Sequence, residues 1–387
     1  MKCSACRLMA FAIAFSLAAP AEAKVDIDVI GGYKVSFEGL VQADGNWFNN
    51  DGADLNGSSG NNGRNNEFEL RRADLILSGK GTMFDWVLGY DANASKYLDA
   101  NLKGKLGSSY LQAGQFKQPN SLEELSSTRH NDFISKAMVT NLFGVGRRLG
   151  AAYGRDAGNW GYVASAFGRE LSRNRAQGQG FGARFYYAPI VAEGRLLHFG
   201  ISTVNYDTAG DIQRWRVRPG ADLASVRLID TGDILDADRN RTIGLEALWV
   251  GGPFKIQSEV MRTTTTRTSN SMASDFSGDS WYVSGMWNVT GESWGYKGGT
   301  PKTKEPRNPS TGMWQIGLRY DAANLNDGAI NGGDEQNITL GVNYYWRSNF
   351  KIMVNYVAVK SSKFNSAAGG DVSDDPDIFE TRLQFYW

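Results

Sequence analysis

From residue 33 onward the chain alternates water-avoiding and water-seeking residues in short runs bounded by turn formers. In 67–79, Ala73, Leu75 and Leu77 fall on one face, while Arg72, Asp74 and Ser78 fall on the other. A strand requires this, because successive side chains leave it in opposite directions. Runs of this kind predict sixteen strands, at 33–48, 67–79, 83–92, 98–106, 109–117, 147–155, 159–169 and 179–188, then 195–206, 241–250, 253–266, 279–290, 311–321, 335–346, 349–361 and 376–387. Their connections tend to alternate long and short: 49–66 then 80–82, 118–146 then 156–158, 207–240 then 251–252. Antiparallel barrels of the outer membrane have this asymmetry, with long loops outside and tight turns in the periplasm. A soluble sandwich has no cause to gather its long connections at one end. Two connections break the rule: 93–97 is short for an outer loop, and 291–310 is long for a turn.

Aromatic placement points the same way. Tyr344, Tyr345 and Trp346 close one predicted strand, and Trp281, Tyr282 and Trp287 stud another, as expected of girdles at the two membrane interfaces. Phe379, Thr381, Leu383, Phe385 and Trp387 alternate with Glu380, Arg382, Gln384 and Tyr386. A free apolar edge of this kind invites aggregation, so this strand is expected to pair with the first and close a barrel. The expected fold is all-β, a 16-stranded antiparallel transmembrane β-barrel. Its third outer loop, 118–146, is too long for a turn and is expected to fold inward.

Composition narrows the alternatives. Glycine is abundant (46) and proline scarce (9), and mean hydropathy is negative at -0.39, as in a barrel whose strands hide their apolar face in alternation. No stretch after Lys24 approaches the roughly 20 apolar residues of a spanning helix. Lys2 and Arg7, the apolar run Leu8 to Ala19, and the small residues Ala21 and Ala23 form a secretory signal. The expected organisation is a signal peptide at 1–23 and a barrel domain at 24–387. Cys3 and Cys6 leave with the signal, which excludes disulfides and thiolate metal sites from the remainder. Without Lys2, Arg7 and Glu22 the 41 basic and 41 acidic residues stay near balance, so no affinity for nucleic acid is expected.

Several short stretches resemble the phosphate-selective porins of the O and P family: ELRRADL at 69–75, GQFK at 114–117 followed by SLE at 121–123, TGES at 290–293 and QNITLGVN at 336–343. They are spread over nearly the whole barrel domain. The resemblance implies a sixteen-stranded barrel, a homotrimer and an arginine-lined path for anions, with small anions such as phosphate and outer-membrane lipid as partners and no cofactor.

The run RWRVRP at 214–219 lies in the longest outer loop. If extended, it places Arg214, Arg216 and Arg218 on one face and Trp215 and Val217 on the other. Such a row offers successive stations to anions; as a bare pattern it is also compatible with a solvated loop edge. By resemblance, Arg216 and Arg218 match the family's outer arginine ladder, Gly220 and Ala224 interrupt it, and Arg214 and Arg227 stand in. Arg71 and Arg72 match the basic pair on the barrel wall, of which a regular strand aims only one, Arg72, into the lumen. Asp99 matches an acidic residue near the family's anion site. Lys136 stands in the place of an arginine, and Glu124 in the place of an anion-binding lysine. A carboxylate in a narrow passage repels a passing anion unless a cation pairs with it. Glu123 and Glu124 also begin a helical-looking segment, 121–128, where a first-turn carboxylate is favourable.

Other constellations carry less. The glycines at 144–150 lack the strand–helix unit of a nucleotide loop. Asp236, Asp238 and Asn240 have calcium-loop spacing, but Arg241 and Ala247 occupy the glycine and glutamate places. His130 and His198 lie in no nucleophile motif, and no enzyme is expected. The expected function is an outer-membrane diffusion channel preferring anions, phosphate or polyphosphate among them. The alternatives are a general or sugar-type porin of weak selectivity, in which Glu124 and Asp99 balance the cations, and a surface-binding barrel with a blocked lumen.

Overall fold

Sixteen antiparallel strands pair in sequence and close on themselves. In the computed structural model, which describes residues 25–57, 64–172 and 176–387, they are β1 (Tyr33–Asn49), β2 (Asn66–Lys80), β3 (Phe84–Asp91), β4 (Lys96–Leu106), β5 (Ser109–Lys117), β6 (Arg147–Asp156), β7 (Trp160–Phe167) and β8 (Gly180–Ala192). The second half comprises β9 (Arg195–Asp207), β10 (Ala237–Gly251), β11 (Phe254–Arg267), β12 (Phe276–Asn288), β13 (Met313–Asp327), β14 (Ile330–Trp346), β15 (Phe350–Asn365) and β16 (Asp377–Tyr386). The signal segment expected at 1–23 lies outside the described residues. Closure runs from Leu40 opposite Tyr386 to Asn49 opposite Asp377. It satisfies the backbone groups that hydrocarbon would otherwise leave without partners.

The faces are those of a protein turned inside out. Leu75, Phe199, Ile201, Leu245, Leu318, Leu340 and Leu383 point outward and are exposed to the bilayer. Gln42, Asp44, Glu246, Arg319, Asp321, Asn337 and Arg382 point inward and are buried. At the closing seam Arg382 forks onto Asp44, Nε to Oδ1 and Nη2 to Oδ2, both at 2.6 Å.

Several strands outrun their predicted ends. β13 and β14 continue past the expected boundaries at 321 and 335 and meet at Gly328, so that outer connection is a tight turn rather than a loop. Beyond the bilayer, polar side chains no longer have to alternate, and the backbone ladder alone carries the pairing. Two short strands add to the sheet: Val25–Ile30 folds back on the start of β1, and Gly370–Asp374 pairs with the end of β15. The short connection near 93–97 is an outer turn whose Asn93 and Ala94 amides both donate to Asp91 Oδ1 at 3.1 Å. The overlong turn 291–310 contains a β-hairpin, Trp294–Lys297 with Thr300–Thr303. Arg184 Nη2 donates to Gly299 O at 2.7 Å, and Tyr296 Oη meets His198 Nδ1 at 2.7 Å. The hairpin thus lies inside the barrel on the short-turn side.

The third loop folds inward as expected, and a row of anchors on one half of the wall holds it there. Glu259 of β11 accepts from Leu122 N (2.7 Å) and Glu123 N (2.8 Å). Arg319 Nη1 donates to Ser135 O (2.9 Å), Arg382 Nη1 to Ile134 O (2.8 Å) and Lys351 Nζ to Asn131 O (2.6 Å). Phe133 lies over the facing pair Gly317 and Gly341, where a Cβ on either would stand 3.1 Å from its ring. These anchors all belong to β11–β16. The loop therefore crowds that half and leaves a passage along β2–β8.

Candidate permeation pathway

The third loop carries two short helices, α1 (Leu122–Leu125) and α2 (Met138–Phe143). The predicted helix at 121–128 is thus only one turn of α-helix, followed by a 3-10 turn at Thr128–His130. Ser121 Oγ caps α1 by accepting from Glu124 N at 3.1 Å. The Glu124 carboxylate is therefore free to point elsewhere, and it forms an ion pair with Lys136. Burial alone would raise its pKa, but Lys136 and Lys117 hold it down at about 2. Glu124 sits in the first turn of α1, and its side chain lines the outer cavity. Lys136 is not an unpaired cation.

Two cavities follow one another along the passage. The outer one, of about 230 Å³, lies among Arg72, Lys96, Lys117, Glu124, Lys136 and Arg147. The inner one, of about 540 Å³, extends down to the hairpin at Gly298, Thr300 and Lys302. Both are lined by Leu98, Lys117, Thr128 and Arg147, which form the neck between them. Lys117 Nζ donates to Ser126 O at 2.8 Å and also to Glu124 O, binding the wall to the end of α1. Arg147 grips Asp99 through Nε (3.0 Å) and Nη2 (2.7 Å). His130 also lines the inner cavity; burial and Arg129 push its imidazole down to about 3, which leaves it neutral.

Arg71 and Arg72 require a correction. A β-bulge interrupts the β1–β2 ladder: Gln42 faces Arg72, and Ala43 faces Leu70. Arg71 is the extra residue, so the bulge turns both guanidiniums inward. Arg72 lines the outer cavity, and Arg71 binds Asp222 of the fifth outer loop at 3.1 Å.

The fifth loop, 208–236, covers the outer mouth. Trp215 and Val217 are buried while Arg214, Arg216 and Arg218 are exposed, so the expected alternation of the triplet is present. Trp215 packs edge-on to Phe143 of α2 with centroids 5.3 Å apart, and Asp222 N donates to Ser135 Oγ at 2.9 Å. The three arginines differ in their surroundings. Arg214 pairs with Asp230 at 2.6 Å, and Arg218 Nε donates to Ala224 O at 2.7 Å. Arg216 makes no ion pair with any described residue. The guanidinium of Arg227 is lowered by burial and then by Arg218 and Arg216, so it belongs to the same cluster.

Lys96, Lys117 and Arg147 line the passage, and the sequence pattern does not single them out. Lys117 closes the family-like stretch GQFK at 114–117, but nothing local separates a neck lysine from any other inward-facing lysine.

The fold resembles solved structures of outer-membrane proteins. OmpT of Vibrio cholerae aligns with 95% of this chain and 98% of its own at 12% identity and a TM-score of 0.59. An anion-selective porin from Comamonas acidovorans aligns with 92% of this chain and 100% of its own at 14% identity and 0.56. By sequence, Porin O of Pseudomonas aeruginosa is 28% identical over 233 residues, 53% of this chain and 52% of its own. An uncharacterised Caulobacter vibrioides protein is 27% identical over 291 residues, 69% of this chain and 57% of its own. The chain thus spans just over half the length of these two relatives. The closed barrel, its apolar outward face and these likenesses are those of a bacterial outer-membrane protein. Residues 41–387 match the family described as phosphate-selective porin O and P, and the chain belongs to that family.

Proposed function

We propose that the channel passes small anions in preference to cations, with a weak rather than a solute-specific selectivity. The observation that carries this is the charge at the neck. Lys117 and Arg147 stand where the two cavities meet, with Arg72 and Lys96 just outside. Glu124, the carboxylate that most opposes an anion there, is neutralised by Lys136. Arginines in the vestibule would raise local anion concentration, and the neck cations would replace hydration water while holding each ion weakly enough to release it. Arg71, Arg72, Asp99, Lys136, Arg214, Arg216 and Arg218 are the proposed pathway residues, with Glu124 as modifier. Phosphate is proposed as one permeant anion among several.

A general porin of low selectivity is the second reading. It is favoured by the pairing of cations with carboxylates, Arg147 with Asp99 and Arg71 with Asp222, which lowers the free positive charge. The reversal potential of single channels across a potassium chloride gradient separates the two. A potential favouring chloride supports the first reading, and one near zero supports the second. A phosphate titration of the chloride current then tests whether phosphate binds at all.

Cleavage after Ala23 and assembly as a homotrimer are proposed on the signal-like sequence and on the family resemblance. N-terminal sequencing of the membrane-inserted protein and native mass measurement test them.

A further inference from the structure

We propose that the inner cavity is a subsite for organic anions with an apolar body, such as monocyclic or short-chain carboxylates, rather than for inorganic anions alone. This rests on the anion reading above and adds the class of solute.

A porin lumen is ordinarily polar, yet an apolar patch interrupts the lining of this cavity, beside Asp74, Asp99 and Lys103 from the same strands. Ile76, Leu98 and Phe116, from β2, β4 and β5, line it together with Leu40, and Leu125 of α1 also contributes. Gly89 faces inward between two of these residues, and a Cβ there would stand 3.1 Å from Leu98 Cβ and 3.5 Å from Ile76 Cγ1. The cations Lys117 and Arg147 lie at the neck above, and Lys103 lines the same cavity with its Nζ 3.5 Å from the Tyr110 ring centroid.

Phosphate would use the cations and leave the half-buried Ile76 and Leu125 against water, while Leu40, Leu98 and Phe116 are already buried. A benzoate in the same place would keep its carboxylate at Lys117 and Arg147 and take its ring out of water against Ile76 and Phe116. Removing apolar surface from water is favourable in proportion to its area. At about 540 Å³, the cavity holds such a ring without displacing the third loop.

Block of single-channel chloride current by benzoate and by acetate, added to either side, tests this. Benzoate should block at about tenfold lower concentration than acetate, equivalent to about 1.4 kcal/mol. Ile76→Asn should remove most of that ratio, and Ile76→Val should keep it. Equal block by both acids, with a reversal potential that still favours chloride, overturns this inference and leaves the anion reading standing. A benzoate preference that survives Ile76→Asn also overturns it, because the apolar wall would not be its source. A reversal potential favouring cations brings down both. If Ile76→Asn fails to assemble, the ratio in the parent channel decides.

Discussion

The ring of Trp387 occupies the space that a side chain on Gly39 would need. A Cβ there would stand 2.1 Å from Trp387 Cζ2, and the two backbones exchange hydrogen bonds, Gly39 N to Trp387 O at 3.1 Å and Trp387 N to Gly39 O at 3.2 Å. Phe37 and Phe385 flank the indole with centroids 5.8 and 5.7 Å away. Barrel closure therefore depends on a glycine opposite a tryptophan. Gly39→Ala should lower the yield of folded barrel, read as heat-modifiable mobility on a gel. Adding Trp387→Ala should recover part of that loss, since contacting residues couple. Parent-like yield for Gly39→Ala would show that the ring swings aside without cost.

Arg216→Ala should reduce chloride conductance in dilute salt and leave it nearly unchanged in concentrated salt. The Debye length falls from about 10 Å at 0.1 M to about 3 Å at 1 M, so the vestibule charge is screened in the second case. Arg216 is the clean choice. Arg214 is held by Asp230, and Arg218 braces the loop through Ala224 O. Equal conductance of variant and parent at low salt would return this arginine row to a solvated loop edge.

Glu124→Gln should shift the reversal potential further toward chloride, because it releases Lys136 and adds one net positive charge beside the neck. A unit charge at 4 Å is worth about 4 kcal/mol at an effective dielectric of 20, an upper guide that pore water reduces, so a change of about twofold or more in permeability ratio is expected. The pH dependence has a definite sign. The carboxyl lies near 2 in the folded channel against an ordinary 4.5. Its contribution to stability is therefore full above 4.5 and lost progressively as pH falls from there through about 2. Acidifying the parent from pH 7 to 4 should not reproduce the variant's shift. An unmoved potential in Glu124→Gln would place this residue outside the field that the ion feels.

Glu259→Ala should loosen the third loop. The carboxylate accepts from two backbone amides of α1 and from Tyr282 Oη at 2.9 Å. Removing the acceptor leaves buried donors unsatisfied, at about 1–3 kcal/mol each. The expected result is larger, flickering single-channel conductance together with a lower unfolding temperature of the folded form. Quiet conductance of parent size would show that Arg319, Arg382 and Lys351 hold the loop without it.

The sequence by itself determined which residues meet lipid and which meet the lumen. Phe379, Leu383 and Phe385 are exposed to the bilayer while Glu380, Arg382 and Gln384 are buried inside, as period two required. That pattern is local, because each residue's face depends only on its parity along a strand and the bilayer enforces it at every step. Only the tertiary structure decided what the lumen side chains do. Parity gave Arg71 the wrong face, because a single extra residue in the ladder reverses it. The pairing of Glu124 with Lys136, the meeting of Lys117 and Arg147 at the neck and the inward hairpin at 294–303 follow no period. They depend on where long loops settle, and contacts between distant residues set that: Leu122 with Glu259, 137 positions apart, and Arg71 with Asp222, 151 apart. A strand's alternation is written in its own few residues, whereas a loop's path is written in the wall it lands on.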